Sequence, residues 1–93
     1  MSAAGARYMG KVAAVGCIIC RRMGFPNTPA EVHHVAEGSG KRSDFMTVGL
    51  CPEHHRGKTG FHGMGERAFC AMYRPPNENE YGLLAWQAEA LNP

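Results

Sequence analysis

Cys17-Ile18-Ile19-Cys20 and Cys51-Pro52-Glu53-His54-His55, with His33-His34 between them, decide how this chain folds. Each outer segment carries two soft ligands separated by two residues. At that spacing a tight turn points both side chains at one ion, and zinc takes thiolate and imidazole tetrahedrally. Cys17, Cys20, Cys51 and His54 are therefore read as the ligands of a structural zinc ion. His33, His34, His55 and His62 are left over. That is more histidine than one zinc site uses, and the surplus points to a second, catalytic metal.

A chain of 93 residues is read as one small domain. A chain this short buries a limited fraction of its surface and commonly needs a staple. Its four cysteines could supply disulfides, a redox pair or metal ligands. The N-terminus has no apolar signal segment, and no stretch reads as a membrane span. The expectation is a cytoplasmic protein with reduced thiols and no membrane partner, in which such cysteines bind metal. A redox centre fits less well, because the second pair contains His54 in place of a cysteine.

The net charge of +2 is only mildly basic and neither requires nor excludes nucleic acid. The cations do cluster, in Arg21-Arg22, Lys41-Arg42 and Arg56 to Lys58, each beside a ligand segment. Local positive potential of that kind receives phosphates. Lys41, Arg42, Arg56 and Lys58 are the candidate DNA contacts. Solubilising surface charge is the plain alternative.

Residues 1–6 read as a flexible tail and 7–93 as the domain. Tyr8, Val12 and Val15 have helical spacing, and Gly16 ends that helix. The first knuckle follows, then a loop over residues 21–29. Residues 31–36 and 45–50 read as two strands of an antiparallel ribbon, joined by the turn EGSGK at 37–41. Pro52 suits the first turn of a short helix that ends near residues 57–60. Two further helices are predicted over about 66–73 and 78–91, broken at Pro75-Pro76. In the second, Tyr81, Leu84, Ala85, Ala88 and Leu91 recur at helical spacing and are assigned to the core. Tyr8, Phe69, Met72 and Trp86 are assigned to it as well, and Cys70 is read as a buried thiol. The fold class is α+β, with strand, strand and helix in succession and helices flanking them.

Adjacent residues on a strand point to opposite faces, so His33 and His34 should not both ligate one ion. One can bind a metal while the other serves as general base. Adjacent residues on a helix diverge by about 100°. His54 can therefore turn to zinc while His55 turns to the ribbon, and one short helix becomes the wall between two sites.

VHHV, VGLCPEHHR and GFHGMG resemble the HNH, or His-Me finger, endonucleases. The order CxxC, EVHHV, GxGKRSD, LCPEHHRGKTGFHG and a YG-L-L helix is similar to the phage recombination-enhancement (Ref-like), recombinase-dependent nucleases. The resemblance covers residues 8–91. It implies a zinc-stabilised ββα-metal domain in which His33 binds the catalytic ion and His34 is the general base. His55 would be a further ligand and His62 another. The central Asn of the motif has no counterpart, and Ser43, Asp44 or Thr47 occupies its region. The cofactors implied are structural Zn²⁺ and catalytic Mg²⁺ or Mn²⁺, although imidazole ligands suit other divalent ions too.

The implied chemistry is phosphodiester hydrolysis of DNA, with water activated by an imidazole, the side chain that titrates near neutral pH. The implied partners are DNA and a host recombinase filament, in a bacterial or phage-infected cell. One such site makes one nick, so paired cuts would require a dimer. The rival reading is a non-catalytic zinc-knuckle module that binds DNA or protein, using only Cys17, Cys20, Cys51 and His54. A third is a nuclease that lost its activity along with the Asn.

Overall fold

The structure, a computed structural model, describes residues 2–35 and 42–93. Helix α1 spans Ala3–Val15. It begins four residues before the predicted start, because Ser2 caps it: the Ser2 hydroxyl accepts the Gly5 N–H at 3.0 Å. The stretch read as a tail therefore enters the helix. Gly16 ends α1 at φ 91°, a conformation that favours glycine. A Cβ there would also lie 2.7 Å from the Thr28 carbonyl oxygen.

Helix α2, Ile18–Arg22, occupies the start of the predicted loop. Cys17 is its N-cap, with Sγ accepting the Cys20 N–H at 3.4 Å. Taken together, Ala3–Arg22 is 20 residues with a mean hydropathy of 1.2, long and apolar enough by composition to cross a bilayer. The expectation that nothing reaches that length is corrected on this point. The backbone break at Gly16 splits the stretch, and Val12, Cys17, Ile18 and Ile19 are buried within the domain.

Strands β1 (Glu31–His34) and β2 (Thr47–Leu50) pair antiparallel, with Glu31 opposite Leu50 and His34 opposite Thr47. Pairing continues one step further, where the Val35 N–H donates to the Met46 carbonyl at 2.9 Å. The second strand starts two residues later than predicted. Ser43 to Met46 form a turn, closed by Met46 N–H to Ser43 carbonyl at 3.1 Å. The turn predicted at residues 37–41 lies outside the described residues, as does Lys41.

A two-stranded ribbon is marginal in water by itself. Here helices cover it, and all four residues of β2 are buried. The C-terminal end of α1 crosses at Gly49, where a Cβ would meet the Gly16 carbonyl at 2.7 Å. Helix α3 is Pro52–Arg56, α4 is Phe61–Met64 and α5 is Glu66–Tyr73. A 3₁₀ turn at Pro76–Glu78 leads into α6, Glu80–Leu91. The core joins Ile18, Ile19, Val48, Leu50, Phe69, Leu83 and Trp86, with Cys17, Cys51 and Cys70 among them.

Four core assignments change. Helix α6 buries Glu80, Gly82, Leu83, Trp86 and Gln87, while Tyr81 is 54% exposed and Ala85 and Ala88 face solvent. Its buried face mixes the polar Glu80 and Gln87 with Leu83 and Trp86, so hydrophobic spacing picks out no face. On that face Gln87 Oε1 accepts the buried Gly49 N–H at 2.8 Å, tying α6 to β2. Met72 is 55% exposed, whereas Phe69 and Cys70 point inward from the same helix.

Candidate functional site

Cys17, Cys20, Cys51 and His54 offer four donor atoms that all lie within 4.8 Å of one another. Their separations test the fit to zinc. With Zn–S of about 2.3 Å and Zn–N of about 2.05 Å, a regular tetrahedron has S···S edges of about 3.8 Å and S···N edges of about 3.5 Å. Cys20 Sγ and Cys51 Sγ stand 3.8 Å apart. His54 Nδ1 lies 3.6 Å from Cys17 Sγ, 3.5 Å from Cys20 Sγ and 3.2 Å from Cys51 Sγ. The cluster has the dimensions of a tetrahedral zinc site, and it can hold such an ion.

Local structure produces this geometry. Cys17 and Cys51 occupy equivalent N-cap positions on α2 and α3, and Cys51 Sγ accepts the His54 N–H at 3.5 Å. Burial pushes the Cys17 thiol up to about 12 and raises Cys20 as well, while it lowers His54. These donors are thus neutral when no cation is near, and an ion would have to displace the thiol protons. The Tyr73 ring meets His54 edge-on at 5.3 Å, and its hydroxyl donates to the Thr59 carbonyl at 2.9 Å.

A second cluster stands on the other side of α3. His33, His55 and His62 each offer a nitrogen within 4.8 Å of the others, with ring centroids 4.8 to 5.3 Å apart. It is more open than the first: His33 is 3% exposed, His55 is half-buried and His62 is exposed. The three rings border a cavity of about 200 Å³ lined also by Val32, His34, Arg42, Phe61 and Glu80. The cluster thus opens onto the cavity, whereas three of the four donors of the first are buried.

Carboxylates orient three of the four surplus histidines. His55 Nδ1 lies 2.8 Å from Glu31 Oε1. His34 Nε2 lies 2.9 Å from Asp44 Oδ1, and His33 Nε2 lies 2.8 Å from Glu80 Oε2. Among the described residues no carboxylate bonds His62. Burial, and then the charges of His55, His62 and Arg42, hold His33 far down, at about 3. Its 2.8 Å contact with Glu80 is a hydrogen bond whose donor is set by the tautomer of the imidazole. Burial likewise lowers His62.

On α3, His54 enters one cluster and its neighbour His55 the other. On β1, His33 joins the second cluster and His34 does not, yet both line the cavity. Of the three residues in the region of the missing Asn, Asp44 bonds His34. Ser43 and Thr47 brace its turn instead: Ser43 Oγ accepts the Phe45 N–H at 3.1 Å, and the Thr47 hydroxyl donates to the Asp44 carbonyl at 3.0 Å.

The candidate DNA contacts separate. Arg42 lines the cavity. Arg56 is already engaged, holding both oxygens of Glu31 at 2.9 to 3.2 Å. That guanidinium and then His55 pull the Glu31 carboxyl down to about 2. Lys58 is exposed in the turn after α3 and does not line the cavity. Sequence reasoning missed Glu31 and Glu80 altogether. Glu31 sits two residues before His33, on the same strand face, which is a usable signal; Glu80 is 47 residues from His33 and carries none.

No curated protein and no solved structure matches the chain. A family model does, over residues 2–92, and its description is recombination enhancement, RecA-dependent nuclease. That span contains both clusters and the cavity between β1, α3 and α4. With nearly the whole chain matched, this protein belongs to the family of RecA-dependent nucleases of recombination enhancement.

Proposed function

We propose that this chain is an HNH-type (His-Me finger) DNA endonuclease, in which a structural zinc ion holds α2 and α3 together and a second divalent ion serves catalysis. The observation that carries the reading is the shared cavity: three histidines within ligand distance of one another, and a fourth, His34, beside them but outside the cluster. That is the division of labour that metal-assisted phosphodiester hydrolysis requires, with ligands in one set and a free base next to it. The succession β1, β2, α3 supports the ββα-metal assignment, and the family supports nuclease chemistry on DNA.

His33, His55 and His62 would hold Mg²⁺ or Mn²⁺. Bound there, the ion would supply charge stabilisation to the scissile phosphate and to the departing 3′ oxygen. His34 takes the proton of the attacking water. Asp44 accepts from Nε2–H and so leaves Nδ1 as the basic nitrogen, fixing both tautomer and ring direction. Asp44 thus does the orienting work that the motif gives to Asn. Arg42 reaches a phosphate at the cavity rim, and Lys58 contacts the backbone farther along. Products carry 5′-phosphate and 3′-hydroxyl ends. The RecA filament is the partner that presents the DNA, which suits a domain too small for extensive base readout.

The test is plasmid nicking by wild type and His34→Ala, with Mg²⁺ or Mn²⁺, with chelator, and with and without a RecA filament. The expected result is metal-dependent nicking that His34→Ala abolishes while DNA binding and zinc content stay unchanged. Binding without cleavage in the wild type under every condition would favour a zinc-knuckle binding module instead.

A further inference from the structure

Glu80 differs from every other acidic residue near the cavity. It comes from the first turn of α6, an element that carries no candidate ligand, and it is 3% exposed. Removing a carboxylate from water costs several kcal/mol unless hydrogen bonds or a cation compensate. Its Oε2 meets His33 Nε2 at 2.8 Å, with both side chains at most 4% exposed. The residue is also held from its backbone side. The Glu80 N–H donates to Glu66 Oε2 on α5 at 3.3 Å, and Asn79 caps the helix by accepting the Gly82 N–H at 3.1 Å. A carboxylate at a helix N-terminus is further favoured by the helix dipole.

An imidazole that ligates a metal is neutral, with one nitrogen given to the ion and the other carrying a proton. Whatever accepts that proton decides which nitrogen is offered. At His55 the acceptor is Glu31, on Nδ1, which leaves Nε2. At His33 the acceptor is on the other nitrogen.

We propose that Glu80 is the positioning residue of His33: by accepting the Nε2 proton it makes His33 offer Nδ1 to the divalent ion, while His55 offers Nε2. This deepens the metal-site reading above and rests on it. The opposite tautomers follow from where the two acids stand, Glu31 on β1 and Glu80 on α6. The C-terminal helix then has a task in the site besides covering the sheet.

Two readouts on the full chain with its zinc cluster loaded decide this. Long-range ¹H–¹⁵N spectra report the His33 tautomer before any second metal is added, and calorimetric titration with Mn²⁺ reports affinity. The expected wild-type tautomer is Nε2–H. Glu80→Ala should release it toward Nδ1–H and weaken Mn²⁺ binding about 10- to 100-fold, with zinc content retained. Glu80→Gln keeps an acceptor oxygen at the same reach. It should hold the tautomer while losing part of the affinity, and it decides the matter by the same readouts if the alanine variant does not fold.

An Nδ1–H tautomer in the wild type, or Mn²⁺ affinity unchanged in both variants, overturns the assignment. Those results leave the three-histidine site standing if the wild type still binds Mn²⁺. Failure of the wild type to bind a second ion at all overturns the site itself and the role of Glu80 with it.

Discussion

Removing metal from the Cys17, Cys20, Cys51 and His54 cluster should unfold the domain, and the magnitudes show why. At roughly 0.05–0.15 kcal/mol per residue, a 93-residue chain has a net stability of about 5–14 kcal/mol. A structural zinc ion contributes about 10–16 kcal/mol in small domains, so its loss removes as much as the whole. Nothing in the emptied cluster compensates. Cys17 and Cys51 are buried, and burial holds the Cys17 thiol at about 12, so at neutral pH it returns to the uncharged form. What then secures α2 and α3 at their N-caps is a pair of N–H to sulfur contacts of 3.4 and 3.5 Å.

The assay is a thermal melt with circular dichroism and ¹H–¹⁵N spectra, before and after a strong chelator under reducing conditions. The account predicts loss of the cooperative transition and of spectral dispersion, both restored by added Zn²⁺, and the same loss in Cys20→Ser. One kcal/mol corresponds to about 4–8 °C in a domain of this size. A chelated protein that still melts cooperatively within about 8 °C of the untreated one would assign the cluster only about 1–2 kcal/mol. That result would refute its role as the staple.

Other expectations follow from single contacts. Gly16→Ala forces a side chain into positive φ against the Thr28 carbonyl and should cost about 1–3 kcal/mol in urea unfolding. Gln87→Ala leaves the buried Gly49 N–H without its acceptor; a loss of about 1–3 kcal/mol is expected, with faster exchange of the Gly49 amide. The Glu31 carboxyl, lowered first by Arg56 and then by His55, should titrate near 2 by carboxyl ¹³C shifts, and Arg56→Ala should move it back toward 4.5. Because its folded value lies below the unfolded one, the stabilisation is complete above about 4.5 and is lost as pH falls toward 2. A Glu31 titration unaffected by Arg56→Ala would remove that link.

The two candidate ligand clusters were legible because chemistry constrains their spacing locally. Two residues between Cys17 and Cys20 fix a turn, and consecutive His54 and His55 diverge on a helix, so pattern alone separates the two clusters. Helix ends at Gly16 and Pro52 were readable for the same reason, since φ and a missing N–H are properties of one residue. The carboxylates that bond these histidines were not readable. Glu80 reaches His33 only after α6 has packed across β2, and its own neighbourhood in sequence looks like an ordinary first-turn acid. The pairing of Arg56 with Glu31 was not readable either, because Glu31 lies 25 residues away on a strand. Tyr81, Ala85 and Ala88 were assigned to the core but face solvent, because the buried face of α6 carries the polar Glu80 and Gln87 and hydrophobic spacing does not find it.

On the proposed function, neighbouring histidines on α3 serve different ions, one structural and one catalytic. The most direct test is nicking activity of His55→Ala, measured on protein whose zinc content and melting transition are recorded alongside those of His54→Ala. The account predicts that His55→Ala keeps its zinc and its fold and loses nicking, whereas His54→Ala loses zinc and fold together. Full nicking by a folded, zinc-loaded His55→Ala protein would contradict it.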